Sequence, residues 1–208
     1  QITDSKRIWG DNSRKYLEMD YFEVEEFSDY CRNIGIEFMT TVFNEEHISW
    51  LDKLDISRYK IASITSAGKS QDPEGDKILC NELLSRDREV LVSLGFSDIE
   101  SFNYNKHKNI KYLFCVPKYP TLLFDEDLKK MPKKFGTGKG DYYGFSDHTI
   151  GTTAALQAYL NGSLILEKHY SMDNFRQGAT EKAHLCSFTP QSLKAFKNQI
   201  VEFDILHK

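Results

Sequence analysis

The sequence predicts an α/β fold built on a parallel sheet. Two observations carry this expectation. Short β-rich segments alternate with segments of helical periodicity along nearly the whole chain. Polar residues also gather where those β segments end: Thr40 and Thr41, Ser63, Ser93, Lys118 and Tyr119, Ser146 and His148, Glu167 and His169. A purely structural chain has little reason to put a polar group at every strand end.

In chain order, a polar opening precedes a helix predicted over 16–33, with apolar groups at Tyr16, Met19, Phe22, Val24, Phe27, Tyr30 and Cys31 and a natural stop at Gly35. Residues 36–43 are rich in β-formers. Asn44 can cap the next helix, whose apolar side is Ile48, Trp50, Leu51 and Leu54. Further strands are expected over 59–64, 90–93, 110–116, 142–146 and 164–168. Helices are expected over 77–85, 98–103, 125–134, 149–160 and 190–204. Segments 65–76 and 131–141 read as loops, the second lysine-rich. No internal repeat or low-complexity tract stands out.

Six strands, each followed by a helix, suit either an open doubly wound sheet or a (β/α)8 barrel. The absence of a GxGxxG string after a strand weakens the nucleotide-binding form of the open sheet. In a barrel, functional residues collect at strand C-termini, as the polar residues do here. Six strands fall two short of the barrel's eight.

Composition sets the broad class. At 208 residues the chain is long enough for one domain with a sizeable core. Hydrophobic residues make up 40% and charged residues 28%, ordinary for a globular protein. With 14 Phe and 11 Tyr, disorder is not expected. A net charge of −4 gives no reason to expect a nucleic-acid partner. No stretch approaches the ~18 apolar residues that cross a bilayer, so no membrane partner is expected. The N-terminus lacks an apolar signal core and an initiator Met; the expectation is a cytoplasmic protein whose chain begins inside a longer one. Cys31, Cys80, Cys115 and Cys186 are scattered without a CxxC pair and read as reduced thiols in or near the core.

The most informative stretches are Gly144-Phe145-Ser146-Asp147-His148-Thr149 and Leu166-Glu167-Lys168-His169. Each reads as a strand ending in a histidine. Side chains alternate along a strand, so Glu167 shares a face with His169, Ser146 shares one with His148, and Lys168 points away. Parallel neighbours ~4.8 Å apart would let both imidazoles reach one ion. Imidazole with oxygen ligands suits Mn, Fe, Co or Zn better than Ca. Only two protein ligands would leave positions open for water and substrate. The plainer alternative makes His148 the cap of the following helix and His169 an ordinary polar strand end.

The surrounding residues resemble the sialic acid synthase (N-acetylneuraminate synthase) family. Phe145-Ser146-Asp147-His148-Thr149 with Leu166-Glu167-Lys168-His169-Tyr170 is similar to its signature. In the same order, Phe38-Met39-Thr40-Thr41-Val42-Phe43 resembles its F-x-S-T-P-F strand and Tyr59-Lys60-Ile61-Ala62-Ser63 its K-I-x-S strand. Val90-Leu91-Val92-Ser93-Leu94-Gly95-Phe96 resembles V-I-L-S-T-G-M. Leu113-Phe114-Cys115 with Tyr119-Pro120 resembles L-H-C-x-x-x-Y-P, and Ser187 to Leu193 resembles the S-L-x-P-E-E-L start of the last barrel helix.

What the resemblance implies is a (β/α)8 TIM-type barrel, here with about six βα units in a single incomplete domain over residues 1–208. It implies an enzyme that condenses phosphoenolpyruvate with an N-acetylated amino sugar, typically N-acetylmannosamine, and releases phosphate. His148 and His169 match the metal ligands, with Mn(2+) the first choice of metal. Glu167 matches a carboxylate that orients the substrate or the attacking water. Lys60 matches a residue pairing with the phosphate or carboxylate of phosphoenolpyruvate; an inward-facing lysine is costly to bury without an anion. Thr41, Ser63, Ser93 and Ser146 match hydroxyls that bind the same anion, although a strand-end Ser or Thr also serves as a helix cap. Tyr119 matches a residue lining the sugar pocket.

Some family features are missing. The A-E-I and V-K-F-Q strings of the first two strands are not in the chain, and Gln1 coincides with the last residue of the second. The C-terminal antifreeze-like domain is not there either. Thr65, Leu94, Pro117 and Ala183 stand where the family has an acid, a threonine, a polar residue and an aspartate; His184 and Ser187 of the last motif remain. Six strands would leave two edges open, so the chain is expected to belong to a longer protein or to pair with another copy as a homodimer. The competing reading is a catalytically inactive barrel serving as a binding or structural module. A third is another phosphoenolpyruvate-dependent aldolase.

Overall fold

The computed structural model describes residues 2–206 apart from 105, 139 and 176–181. Gln1 and Lys139 of the lysine-rich loop therefore lie outside the described residues. The chain separates into two compact units, Gln1–Lys111 and Tyr112–Lys208.

The first unit opens with a helix that the polar composition of the N-terminus does not announce, α1 (Ser5–Trp9). Asp4 caps it by accepting the Arg7 N–H at 2.8 Å. Gly10 closes it in the left-handed region at φ 84°. Helix α2 (Tyr21–Asn33) begins later than its apolar spacing predicts, because Asp20 and Glu23 form a reciprocal capping box that fixes its start; Lys15–Leu17 is a separate 3-10 turn. Residues 36–43 are a correction. Instead of a strand, the segment makes only isolated parallel bridges, Thr41 to Lys60 and Val42 to Ile2. β-Forming composition becomes a strand only where successive residues find a continuous ladder, and here Thr41 and Val42 each make one bridge to a different partner.

Asn44 caps as expected, accepting from the Glu46 N–H at 2.9 Å before a 3-10 turn and α3 (Ile48–Lys53). Strand β1 (Arg58–Ile61) stops three residues short of its expected end, because residues 63–66 coil into the short helix α4 (Ser63–Ser66). Helix α5 (Pro73–Ser85) starts at a proline in its first turn, capped by Asp72 accepting from Gly75. It buries Leu79, Cys80, Leu83 and Leu84. Strand β2 (Glu89–Leu94) then pairs parallel with β1, Lys60 opposite Leu91 and Ile61 opposite Val92, which makes a βαβ unit. The helix expected over 98–103 is absent. Asp98 accepts from the Ser101 N–H at 2.8 Å and from its hydroxyl, and these local bonds favour a turn over a helix.

In the second unit, β3 (Ile110–Cys115, its paired residues from Tyr112 on), β4 (Tyr142–Asp147) and β5 (Ile165–Lys168) pair parallel in that order. Of the helix expected over 125–134 only a 3-10 turn forms, Leu128–Lys130. Pro132 cannot donate to a continuing helix, and Asp125 and Asp127 are drawn to Lys118 instead. Gly144 is required by packing: a Cβ there would stand 2.5 Å from the Ile165 carbonyl across the β4–β5 pair. Helix α6 (Thr153–Leu160) crosses from β4 to β5. Its Ala154 and Ala158 pack with Phe114 and Phe145, and Ala155 packs with Phe188 and with Phe196, the latter in α7 (Pro190–Leu206). Among the described residues no helix is long and apolar enough to cross a membrane. The four cysteines are free thiols, three of them buried. The α/β class and parallel pairing thus agree with the sequence reading.

Candidate functional site

Register places the second unit's functional side chains. Phe114, Phe145 and Leu166 are mutual partners across β3, β4 and β5, and all three belong to the packing around α6. One residue on, Cys115, Ser146 and Glu167 are partners and by alternation face the other side. Asp147 and Lys168 return to the helix side. His148 and His169, just past each strand, come back to the face of Ser146 and Glu167.

The two imidazoles do meet. Their ring centroids lie 5.5 Å apart. The ring of Tyr119 completes the group, 4.2 Å from His148 and 5.5 Å from His169. Tyr119 precedes Pro120 across a cis peptide bond.

The plainer alternative for His148 fails. The following helix starts only at Thr153, with Thr152 as its cap residue, and Gly151 at φ 78° turns the intervening chain. The His148 ring instead donates from Nδ1 to the Val116 carbonyl at 2.8 Å, with the Cys115 thiol 3.9 Å away. Its own carbonyl accepts from the Thr121 N–H at 2.8 Å. A carbonyl can only accept, so the proton sits on Nδ1 and the Nε2 lone pair is left for another partner.

Burial pushes the His148 ring below the ordinary imidazole range, against a Val116 hydrogen bond and the Glu167 charge that pull the other way. Burial and then the neighbouring His148 push His169 down to about 4. Both rings are therefore neutral at physiological pH, the form that ligates metals.

These features fit a divalent ion. With metal–nitrogen bonds of about 2.1 Å, a shared ion would sit roughly 3 Å from each ring centroid, which a 5.5 Å separation allows. Among the described residues no group of three or more His, Cys, Asp or Glu side chains is gathered to hold a metal. The chain offers a two-histidine set, with Glu167 near enough to act electrostatically on both rings.

Beneath the histidines lies a feature the sequence reading passed over. Asp147 and Lys168 form a 2.6 Å ion pair, 0% and 2% exposed. The signal was present in the sequence as an acid and a base at matching positions before the two histidines.

In the first unit, Lys60 is buried at 4% exposure in β1, and its ammonium donates to the Ile61 carbonyl at 3.2 Å. Thr41 bridges Lys60 and is buried, as is Ser93 at the end of β2. Ser63 is corrected: it opens α4 rather than ending a strand. The Ser66 hydroxyl ties that turn to β2 by bonding the Ser63 and Ser93 carbonyls. Thr65, in the place of a family acid, is buried, and its hydroxyl has no hydrogen-bond partner among the described residues. In the second unit, His184 is buried beside Ala183 with both ring nitrogens in the same condition.

The profile of the NeuB family matches residues 9–206. The N,N'-diacetyllegionaminic acid synthase of Campylobacter jejuni is 28% identical over 195 residues, covering 88% of this chain and 54% of that protein. The N-acetylneuraminate-9-phosphate synthase of Drosophila melanogaster is 22% identical, covering 97% of this chain and 54% of that protein. A crystal structure of the N-acetylneuraminic acid synthetase of Leptospira borgpetersenii in complex with citrate superposes with a TM-score of 0.76 at 23% identity, covering 95% of this chain and 67% of that one. The chain spans about half the length of the curated relatives it matches.

Proposed function

Because the chain belongs to the NeuB family, we propose that it catalyses a metal-assisted condensation of phosphoenolpyruvate with an N-acetylated, N-acetylmannosamine-like amino sugar. The product is a sialic acid-type nonulosonate, a nine-carbon 2-keto acid. The new bond joins the enol carbon of phosphoenolpyruvate to the sugar's aldehyde carbon. The aldehyde oxygen takes a proton to become a hydroxyl, water adds to the carbon that carries the phosphate ester, and the bond from that carbon to the phosphate oxygen breaks, leaving the ketone and free phosphate. The relatives' names as synthases of legionaminic, pseudaminic and neuraminic acid derivatives support this class of reaction.

The observation that carries the proposal is the convergence of the His148 and His169 rings under Tyr119. A divalent metal, Mn(2+) as first choice, would be held by those two imidazoles and would polarise the sugar aldehyde toward attack. Glu167, on the same face, orients the substrate or the attacking water. Tyr119 offers an aromatic wall to the sugar, and the Ser146 hydroxyl is a further hydrogen-bond donor to substrate. In the first unit, Lys60 pairs with the phosphate or carboxylate of phosphoenolpyruvate; its burial favours an anionic partner over bulk water. Thr41, Ser63 and Ser93 supply hydroxyls to the same anion.

The proposal extends to a (β/α)8 barrel, an architecture supported by the fold-level likeness to the Leptospira enzyme. It also extends to a cytoplasmic homodimer. The competing module reading has the departures at Thr65, Leu94, Pro117 and Ala183 in its favour. Against it stand the retained His148, Glu167, His169 and Lys60, since a chain drifting from catalysis would lose its metal site too. The test is incubation of the full gene product with phosphoenolpyruvate, Mn(2+) and a panel of N-acetylated sugars, following phosphate. Sugar-dependent release supports the synthase; none with any sugar supports the module.

A further inference from the structure

Asp147 and Lys168 stand opposite each other in the β4–β5 register, each one residue before a histidine. The Lys168 ammonium reaches the Asp147 carboxylate at 2.6 Å and the Thr149 carbonyl at 2.7 Å. The other Asp147 oxygen accepts the Thr149 N–H at 2.7 Å. Residues on both sides of His148 are therefore tied to the one residue that precedes His169. Phe188 closes the arrangement. Its ring lies 5.2 Å from the ammonium, and its N–H binds the His169 carbonyl at 2.7 Å.

We propose that Asp147 and Lys168 are a positioning pair that sets the two imidazoles side by side. A strand pair with apolar contacts alone can slip, and a slip of one residue turns every side chain to the opposite face. Here a slip would pull a buried carboxylate from its ammonium, leaving two charges unpaired. The ion pair makes one register far better than its neighbours, and only in that register do both histidines reach the same side at the same height. Lys168 also holds the 147–149 backbone from below, while Val116 and Thr121 hold His148 from the side. The inference leans on the metal reading for only one of its two readouts.

The experiment uses Asp147→Asn combined with Lys168→Met, because either change alone strands a buried charge. In the metal-free protein, nuclear Overhauser contacts among Tyr119, His148 and His169 are expected in the wild type, and those to His169 are expected to disappear in the double variant. Calorimetry with Mn(2+) is expected to show a 10- to 100-fold weaker affinity. If the double variant does not fold, Asp147→Glu keeps the charges but lengthens one arm, and the same loss of ring contacts is expected. Ring contacts that persist unchanged in whichever of these variants folds overturn the inference. If the wild type binds no Mn(2+), the metal reading falls, and the ring contacts alone still decide the positioning role.

Discussion

His148 gives its Nδ1 proton to the backbone carbonyl of Val116 across 2.8 Å. That one bond selects the tautomer, orients the ring and leaves the Nε2 lone pair for another partner, with the His169 ring 5.5 Å away between centroids.

Replacing His148 by Ala should therefore abolish Mn(2+) binding in calorimetry. The Val116 carbonyl loses one donor but keeps the Lys118 N–H at 2.9 Å, so stability should fall by only about 0.5–1.5 kcal/mol, with the circular dichroism spectrum unchanged. Undiminished Mn(2+) binding would remove this residue from the metal site.

Lys60→Met keeps the length of the side chain and removes its charge. Phosphoenolpyruvate affinity should fall at least ~10-fold, about 1.4 kcal/mol, while Mn(2+) affinity stays near that of the wild type. Equal loss of both in paired titrations would make Lys60 a structural residue.

Arg7 is buried in the first unit, 2.6 Å from Glu45 and 3.7 Å from Asp76, whose side chain is 1% exposed. Arg7→Met should cost about 3–5 kcal/mol in urea unfolding, because it leaves a buried carboxylate without its cation. Burial raises the Asp76 pKa above 3.8, against opposing Ser70 bonds and the Arg7 charge. A carboxyl raised on folding favours the folded state at low pH, and that contribution is lost as pH climbs from about 4 through the raised value. Stability of the Arg7→Met protein should thus decline as pH rises above 4, and adding Asp76→Asn should flatten the decline. A decline of the same size with Asn at 76 would rule out Asp76 as its source.

Asp127 is held down to about 2, by Lys130 first and Lys118 next. A carboxyl lowered on folding favours the folded state above its unfolded value near 3.8 and loses that contribution as pH falls toward 2. Lys118→Ala should move the Asp127 carboxyl titration upward, part of the way to 3.8, as seen by carbon NMR. The remaining Lys130 contact, 2.8 Å long, keeps the shift partial. No movement would mean that Lys118 is bound to Asp125 alone in solution.

Much of this was legible in the sequence because it follows from periodicity. Strand alternation put Glu167 with His169 and turned Lys168 away, and the register of β4 and β5 agrees. Capping chemistry gave Asn44 its role. What was not legible depends on partners distant in sequence or on local competition. Residues 36–43 have strand composition, but only Thr41 and Val42 find bridges. Asp98 and Ser101 satisfy each other in a turn where a helix was expected over 98–103. Ser63 moved from a strand end to a helical turn because β1 ends at Ile61. In the site, the pairing of Asp147 with Lys168 required knowing which strands are neighbours. The Val116 bond to His148 is made by a backbone atom, which no side-chain motif records.

The central claim is that one ion is shared by His148 and His169. Pulsed electron paramagnetic resonance of the Mn(2+)-loaded wild-type protein, with histidine nitrogens isotopically labelled, tests it most directly. The account predicts couplings from two imidazole nitrogens, falling to one in His169→Gln. A spectrum showing only water and oxygen ligands around the bound ion would contradict it.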